Sequence, residues 1–599
     1  MRTRSGIAAL IALGVFICVV AATPAGTAVG ASGAPIPQGT QTDAAYAGSG
    51  TTAGVTNVFA TTQKTSCYTP EVPFFTNLGP ALGYSGMSAC NGRSTTGEDL
   101  GPYPTQSGSN PGNPASTPML VKDHSESDIR VDPTNPQHII GTSKWFVSSE
   151  GYNHQLGFYE SFNGGRTWSV QGHIPGWEGW TDSTDPVGAF DTYGNFWFFD
   201  LAYQFFYNKD GSHNFSLGRS QEPNPAQPAE IVGVSVRPHG AKKATDWIST
   251  VNGKPDIVAD YDNGKGNEPD KQWLTVDTTG GRFTNRIYLM WVNFHTLTPV
   301  PYVAYADARA DGTHTPWSTP KKLPQPPSTP QGATYVLPHV APDGAVYSTV
   351  TNFDPSHQFG SPVTTYIVKS ADGGTTWSIL PGKVTIPSAP PLQFANTTFR
   401  DGITDTFGVG NHVSAQGRYP LYIAYEDYRA GWTNVLLTAS YDDGTTWTSP
   451  IQVNDDGAPV DEFQPNLSVA PNGTVSVAFY DRRLACPTVA SKEGAAAGIA
   501  LDPGASGASN YCVNSSVQFY DASLRPLGHN IRLTQHAWDP QLNAPHPGSP
   551  GGSETFIGDY FGNDAGDPGT DWFTFVSTYD DGSNPSNRQQ QVVAIAPTP

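Results

Sequence analysis

One octet occurs three times in this chain. Ser161-Phe-Asn-Gly-Gly-Arg-Thr-Trp168, Ser370-Ala-Asp-Gly-Gly-Thr-Thr-Trp377 and Ser440-Tyr-Asp-Asp-Gly-Thr-Thr-Trp447 agree at Ser, Gly, Thr and Trp. The pattern supplies a short polar side chain that can bond nearby backbone, a glycine free to take positive φ, and a Trp that can seal the turn. A chain that repeats a hairpin turn repeats a sheet. Thr578-Tyr-Asp-Asp-Gly582 matches the first five positions with Thr for Ser, and residues 208–215 read as an eroded fifth copy.

Between the octets, strands recur as an apolar alternation, a turn with Asp or Asn and Gly, and a second aromatic-rich strand. Val187 to Phe199, Trp273 to Trp291, His339 to Tyr347 and Leu467 to Val477 have this shape, and Leu421 to Tyr425 is a further strand leading into Glu426. Capped long helices are absent. The octet resembles the Asp-box of the sialidase and BNR-repeat β-propellers, where it joins the outer two strands of a blade. Asp270-Lys-Gln-Trp273, Phe463-Gln-Pro with Tyr480-Asp-Arg-Arg483, and Phe556-Ile-Gly-Asp-Tyr560 likewise resemble blocks of secreted bacterial exo-α-sialidase-like proteins. The resemblance spans roughly residues 120 to 582 and implies an all-β propeller. The hairpin count suggests six blades, with five or seven also compatible. A β-sandwich or a series of Ig-like modules is the alternative, but it gives no reason for a Trp-sealed turn to repeat on one hairpin.

The N-terminus reads as an export signal over residues 1–34. Arg2 and Arg4 precede an apolar run from Ile7 to Ala22, followed by small residues through Ala34. Residues 35–118, rich in Gly, Ser, Thr, Pro and Asn, read as an extension, and residues 119–599 as the propeller. Removing Cys18 with the signal leaves Cys67, Cys90, Cys486 and Cys512, for which two local disulfides, Cys67–Cys90 and Cys486–Cys512, are the economical pairing. The expected location is therefore extracellular, without a membrane partner after signal cleavage and as a monomer. A net charge of −20 opposes binding to nucleic acid or anionic membranes. No cofactor is implied. Turns such as Asp442-Asp-Gly are compatible with structural calcium but match no full calcium-loop spacing.

Inner strand ends of a propeller converge on a central funnel, so groups beside those strands can meet across hundreds of residues. Candidates for catalysis are Asp128, Asp185, Glu426, Asp559 and Tyr560. Arg130, Asp270, Lys271, Arg429, Asp481 and Arg482 are candidates for substrate binding, with Glu126 and Glu554 nearby. Glycoside hydrolysis needs two carboxyl groups, one protonated and one ionised. Asp559 or Glu426 is expected to be the ionised group, and Asp128 or Asp185 the acid. The resemblance implies a narrower sialidase kit: Tyr560 as nucleophile with Glu554 or Glu426, an Asp acid/base, and Arg130, Arg429 and Arg482 clamping a carboxylate. The Phe-Arg-Ile-Pro motif that carries the first sialidase arginine has no copy here. The competing function is a non-catalytic module binding glycan or protein, since Asp/Arg pairs at strand ends also staple neighbouring strands. His124 reads as a surface residue.

Overall fold

The computed structural model describes residues 54–61, 67–68, 119–120, 124–146, 154–174, 182–203, 230–261, 268–294, 299–325, 332–353, 360–397, 399–401, 405–457, 459–499, 510–540, 544–545, 555–584, 587 and 589–599. Their strands form seven blade sheets and three small two-stranded pairs. The inner strands are His124–Val131, Asp182–Phe190, Glu268–Val276, the split pair Gly332–Thr334 and His339–Val340, Asp405–Val409, Glu462–Val469 and Gly562–Asp567. Each lies beside the inner strands of the two adjoining blades, and blade 7 meets blade 1, so the ring closes. The fold is a β-propeller with seven blades, which corrects the expected six. Blade 5 explains the difference. Its inner strand, Asp-Thr-Phe-Gly-Val, carries little apolar alternation, so Leu421–Asp427 has no visible partner in the sequence.

Ring closure uses the N-terminal segment. Thr56–Phe59 pairs antiparallel with Gln590–Pro597 and becomes the outermost strand of blade 7. The propeller therefore recruits a strand from within the stretch read as an extension.

The apolar core is divided into interfaces between blades, which explains the aromatic-rich strands. In Phe196–Tyr203, Trp197 and Phe199 pack toward blade 3 with Leu274 and Trp291, while Phe196 and Phe198 pack toward blade 1 with Ile140 and Phe158. A strand sandwiched on both faces has no polar side to show, so its sequence reads as continuously apolar.

All three octets join the third and fourth strands of a blade, in blades 1, 4 and 5. Their geometry is shared. The Ser Oγ accepts the glycine N–H four residues on at 2.9 Å in each, and the Asn or Asp Oδ1 accepts the Thr N–H at 2.8–2.9 Å. Each octet also clips onto the preceding blade: Trp572 Nε1 donates to Gly164 O, Arg286 Nη1 to Gly373 O, and Gly382 N to Gly444 O. Trp168 is buried, whereas Trp377 and Trp447 are half-buried. The Thr578–Gly582 stretch lies instead between the second and third strands of blade 7, so it is a different turn.

Cys486 and Cys512 form a disulfide that closes an insertion between the second and third strands of blade 6. Cys90 and the expected Cys67–Cys90 bridge, the signal segment, Glu554 and residues 208–215 lie outside the described residues. No helix among the described residues is long and apolar enough to cross a membrane.

Candidate active site

Near their N-terminal ends, the inner strands share an irregularity. Pairing slips between Ser125 and Ser127, Thr184 and Val187, Asp270 and Trp273, and Phe463 and Asn466. The residue freed at each bulge takes left-handed backbone: Glu126 at φ 46°, Asp185 at 58°, Lys271 at 53° and Gln464 at 46°. Tyr335, between the two pieces of the blade 4 inner strand, does the same at 49°. A bulge re-aims a side chain, and a non-glycine residue held this way costs on the order of 1–3 kcal/mol, so the surroundings must enforce it. In blade 7 the equivalent place is Gly558, at φ 104°. A Cβ there would stand 2.5 Å from the backbone of Glu126, so only glycine lets blade 7 approach blade 1 this closely.

These bulges bring together groups from separate blades. Lys144 Nζ, on the second strand of blade 1, reaches Glu126 Oε2 at 2.7 Å and Asp185 Oδ1 at 3.2 Å. Both carboxylates touch one ammonium and so lie no more than about 6 Å apart, the order of separation of glycosidase carboxyl pairs. Asp559 is held by Lys271 Nζ at 2.8 Å and by Arg400 through both oxygens at 3.2 and 2.8 Å. Its backbone N–H donates to Glu126 Oε1 at 3.1 Å.

The environments drive these carboxyls apart. Burial, reinforced by the Asp185 charge, pushes Glu126 up to about 8 despite Lys144. Burial also opposes charge on Asp185, but Lys144 and Lys271 prevail and hold it well below the usual carboxylate range. Arg400 and Lys271 do the same for Asp559 against the same burial. Near neutral pH one carboxyl keeps its proton beside two that have lost theirs.

Glu426 lies at the adjoining side, accepting the Gln464 N–H, and Gln464 Nε2 donates to Gly558 O at 2.9 Å. Burial pushes Glu426 up to about 8. Burial and the nearby Glu426 push Asp401 up as well. The cations thus favour the ionised form of Asp185, one of the two expected acids, and burial favours the protonated form of Glu426, one of the two groups expected to be ionised.

The remaining candidates divide. Asp270 and Lys271 reach the mouth of the channel, 33% and 17% exposed at the side chain. Asp128 sits deeper on its strand, bound to Arg130 at 2.9 Å and to the Gly188 N–H at 3.0 Å, and burial pushes it up to about 6. Tyr560 donates to Pro186 O at 3.2 Å and packs edge-on against Trp273. Arg429 is 57% exposed and pairs with Asp427. Arg482 is buried against Asp461 and the Ala395 and Asn510 carbonyls. Asp481 is buried, ion-paired with Arg483 two residues on and accepting from Ser516 Oγ on the neighbouring strand at 2.7 Å. Arg130, Arg429 and Arg482 thus occupy three different environments, and the carboxylate clamp is not assembled from them. His124 is fully buried against Trp145 rather than at the surface.

Lys144, Tyr335, Arg400, Asp401 and Gln464 went unmarked in the candidate set. Gln464-Pro465 repeats the Asp185-Pro186 arrangement, and comparing the inner strands at that one position would have found both. Lys144 and Arg400 have no such signal, because they reach the cluster from a second strand and from a connection. Among the described residues no group of three or more His, Cys, Asp or Glu side chains could hold a metal ion.

No protein-family profile matches the chain, and no curated protein matches it in sequence. Among solved structures, a Dyadobacter fermentans protein of unknown function is similar at 11% identity and a TM-score of 0.38, covering 79% of this chain and 94% of its own. Trypanosoma rangeli sialidase is similar at 11% identity and a TM-score of 0.35, over 90% of this chain and 59% of its own. A structure of NanB with Optactamide is similar at 12% identity and a TM-score of 0.35, over 79% and 68%. This chain spans well under two thirds of the Trypanosoma enzyme, and likenesses this distant assign no activity.

Proposed function

We propose that the mouth of the channel is the catalytic site of a secreted glycoside hydrolase acting on an extracellular glycan. The observation that carries this reading is the Glu126–Lys144–Asp185 unit, two carboxyls from adjacent blades joined by one ammonium and held in opposite protonation states. Glu126 has the proton that a glycosidic oxygen needs as its bond breaks, and Asp185 is the ionised partner. Asp559, locked by Arg400 and Lys271, keeps a fixed negative charge beside the oxocarbenium-like centre. The partly exposed Lys271, Arg400 and Asp270 orient substrate hydroxyls. Tyr560 has its hydroxyl on a backbone carbonyl, which favours a carboxyl-based mechanism over a tyrosine nucleophile.

Sugar release from a panel of aryl glycosides and polysaccharides tests this. Glu126→Gln and Asp185→Asn should each lose about 10²- to 10⁴-fold, while Tyr560→Phe stays near wild type. Equal turnover in all four proteins would remove the site. A second reading, glycan binding without cleavage, is favoured by the burial of Glu126, Asp185 and Asp559, the charges of the two aspartates being already matched by cations. Its signature is a wild type that releases nothing from the panel yet binds glycans that Lys271→Ala no longer holds.

A further inference from the structure

Beneath the charged mouth, Trp273 packs edge-on against Tyr560 with ring centres 5.2 Å apart. With Tyr335, these rings line a small cavity of about 50 Å³. Past it, toward the C-terminal ends of the inner strands, the channel widens to a cavity of about 310 Å³. Its walls include the apolar faces of Phe190 and Trp273, and its polar groups include Arg130, His339 and Asp564. The size falls at the lower end of small-molecule sites.

The polar groups fix what this cavity can hold. Three of the five N–H groups of Arg130 are engaged, by Gly188 O at 2.9 Å, Ile129 O at 3.3 Å and Asp128 at 2.9 Å, leaving two donors. The His339 ring stands edge-on to Phe407, with ring centres 5.4 Å apart. Burial and the nearby Arg130 push it down to about 4, so it is neutral and one ring nitrogen can accept a hydrogen bond. Asp564 spends one carboxylate oxygen on the Val131 N–H at 2.8 Å. An anion entering here would meet Asp564 beside a guanidinium already paired with Asp128. A cation would meet Arg130 itself. A neutral molecule with alternating donors and acceptors and an apolar face meets neither penalty.

We infer that this cavity is a second binding site, for a neutral polyhydroxylated molecule of about one monosaccharide, separate from the mouth. Calorimetric titration and saturation-transfer NMR with glucose, galactose and N-acetylglucosamine test it, with glucuronate and glucosamine as charged counterparts. At least one neutral sugar should bind, and more tightly than either charged one. Ala189→Phe, which fills the cavity from its wall, should weaken that binding at least about tenfold. His339→Leu should weaken it roughly three- to tenfold, and serves if Ala189→Phe melts much earlier than wild type. Asp559→Asn, at the mouth, should leave it within about twofold. Silence from every neutral sugar at tens of millimolar, equal or tighter binding of a charged sugar, or unchanged binding in both folded cavity variants would overturn the inference. Binding lost in Asp559→Asn and kept in Ala189→Phe would place the sugar at the mouth instead, overturning the second site and leaving the hydrolase reading intact.

Discussion

The outer turns of the blades and the inner bulges make the same backbone excursion with opposite means. In the octets two successive residues are left-handed, and five of the six are glycines, Gly164, Gly165, Gly373, Gly374 and Gly444, at φ between 69° and 85°, with Asp443 the exception at 59°. In the inner strands they belong to Glu126, Asp185, Lys271, Tyr335 and Gln464, at 46° to 58°. Glycine relaxes all but one of the first set at no steric cost, whereas the whole second set holds side chains in a conformation they resist. The turns are built to be stable and clip blade to blade. The bulges spend stability to aim charged and hydroxylated groups at one place, which is where strain is expected when a site is functional.

The largest effect that separates the two regions is catalytic. Asp185→Asn should reduce sugar release by about 10²- to 10⁴-fold, measured as kcat/KM on protein that circular dichroism shows to be folded. An equal change at an outer turn, such as Asp372→Asn in the second octet, should leave kcat/KM unaltered; a loss there would break the division of labour. Gly558→Ala comes next. With its Cβ 2.5 Å from the Glu126 backbone and φ at 104°, it should destabilise the fold by about 3 kcal/mol or more in urea unfolding.

Gly374→Ala in the second octet should cost less, about 1–2 kcal/mol, because its Cβ would approach Tyr288 and Tyr305 only to 3.1 Å and the penalty is mainly conformational. Smallest of all is Lys271→Gly. Relief of the left-handed strain offsets the lost ion pair with Asp559, so unfolding should change by within about 1 kcal/mol although substrate turnover falls. A large destabilisation there would mean that the bulge is held by Lys271 rather than imposed on it.

The same contrast governs what could be read from the chain. An octet caps itself: its Ser and Asp bond its own backbone, so a repeated geometry forces repeated residues, and Ser161, Ser370 and Ser440 stand out at once. An inner bulge is enforced from outside, by neighbouring blades, so any residue can occupy it, and five different ones do. Propeller architecture was therefore legible, as were Asp185, Lys271 and Asp559 as strand-end charges. Their protonation was not, because it depends on Lys144 and Arg400, which arrive from elsewhere in the chain. Arg482 and Asp481 misled for the reverse reason: a charged pair at a strand end looks the same in sequence whether it faces a funnel or is buried against Asp461 and Arg483. Blade 5 escaped because Asp405–Val409 is held in place by its neighbours rather than by a pattern of its own.

The central claim is that Glu126 carries its proton through neutral pH as the acid of the site. Burial raises it to about 8, so the folded protein binds this proton more tightly than the unfolded chain does. On that account stability rises as pH falls from about 8 toward the ordinary glutamate range, and activity is lost as pH rises past it. The most direct measurement is the pH dependence of kcat/KM for wild type and Glu126→Gln on whichever glycoside is released. The account predicts an alkaline limb near pH 8 in wild type and, in the variant, a low rate without that limb. A Glu126→Gln protein that keeps wild-type turnover and the same alkaline limb would contradict it.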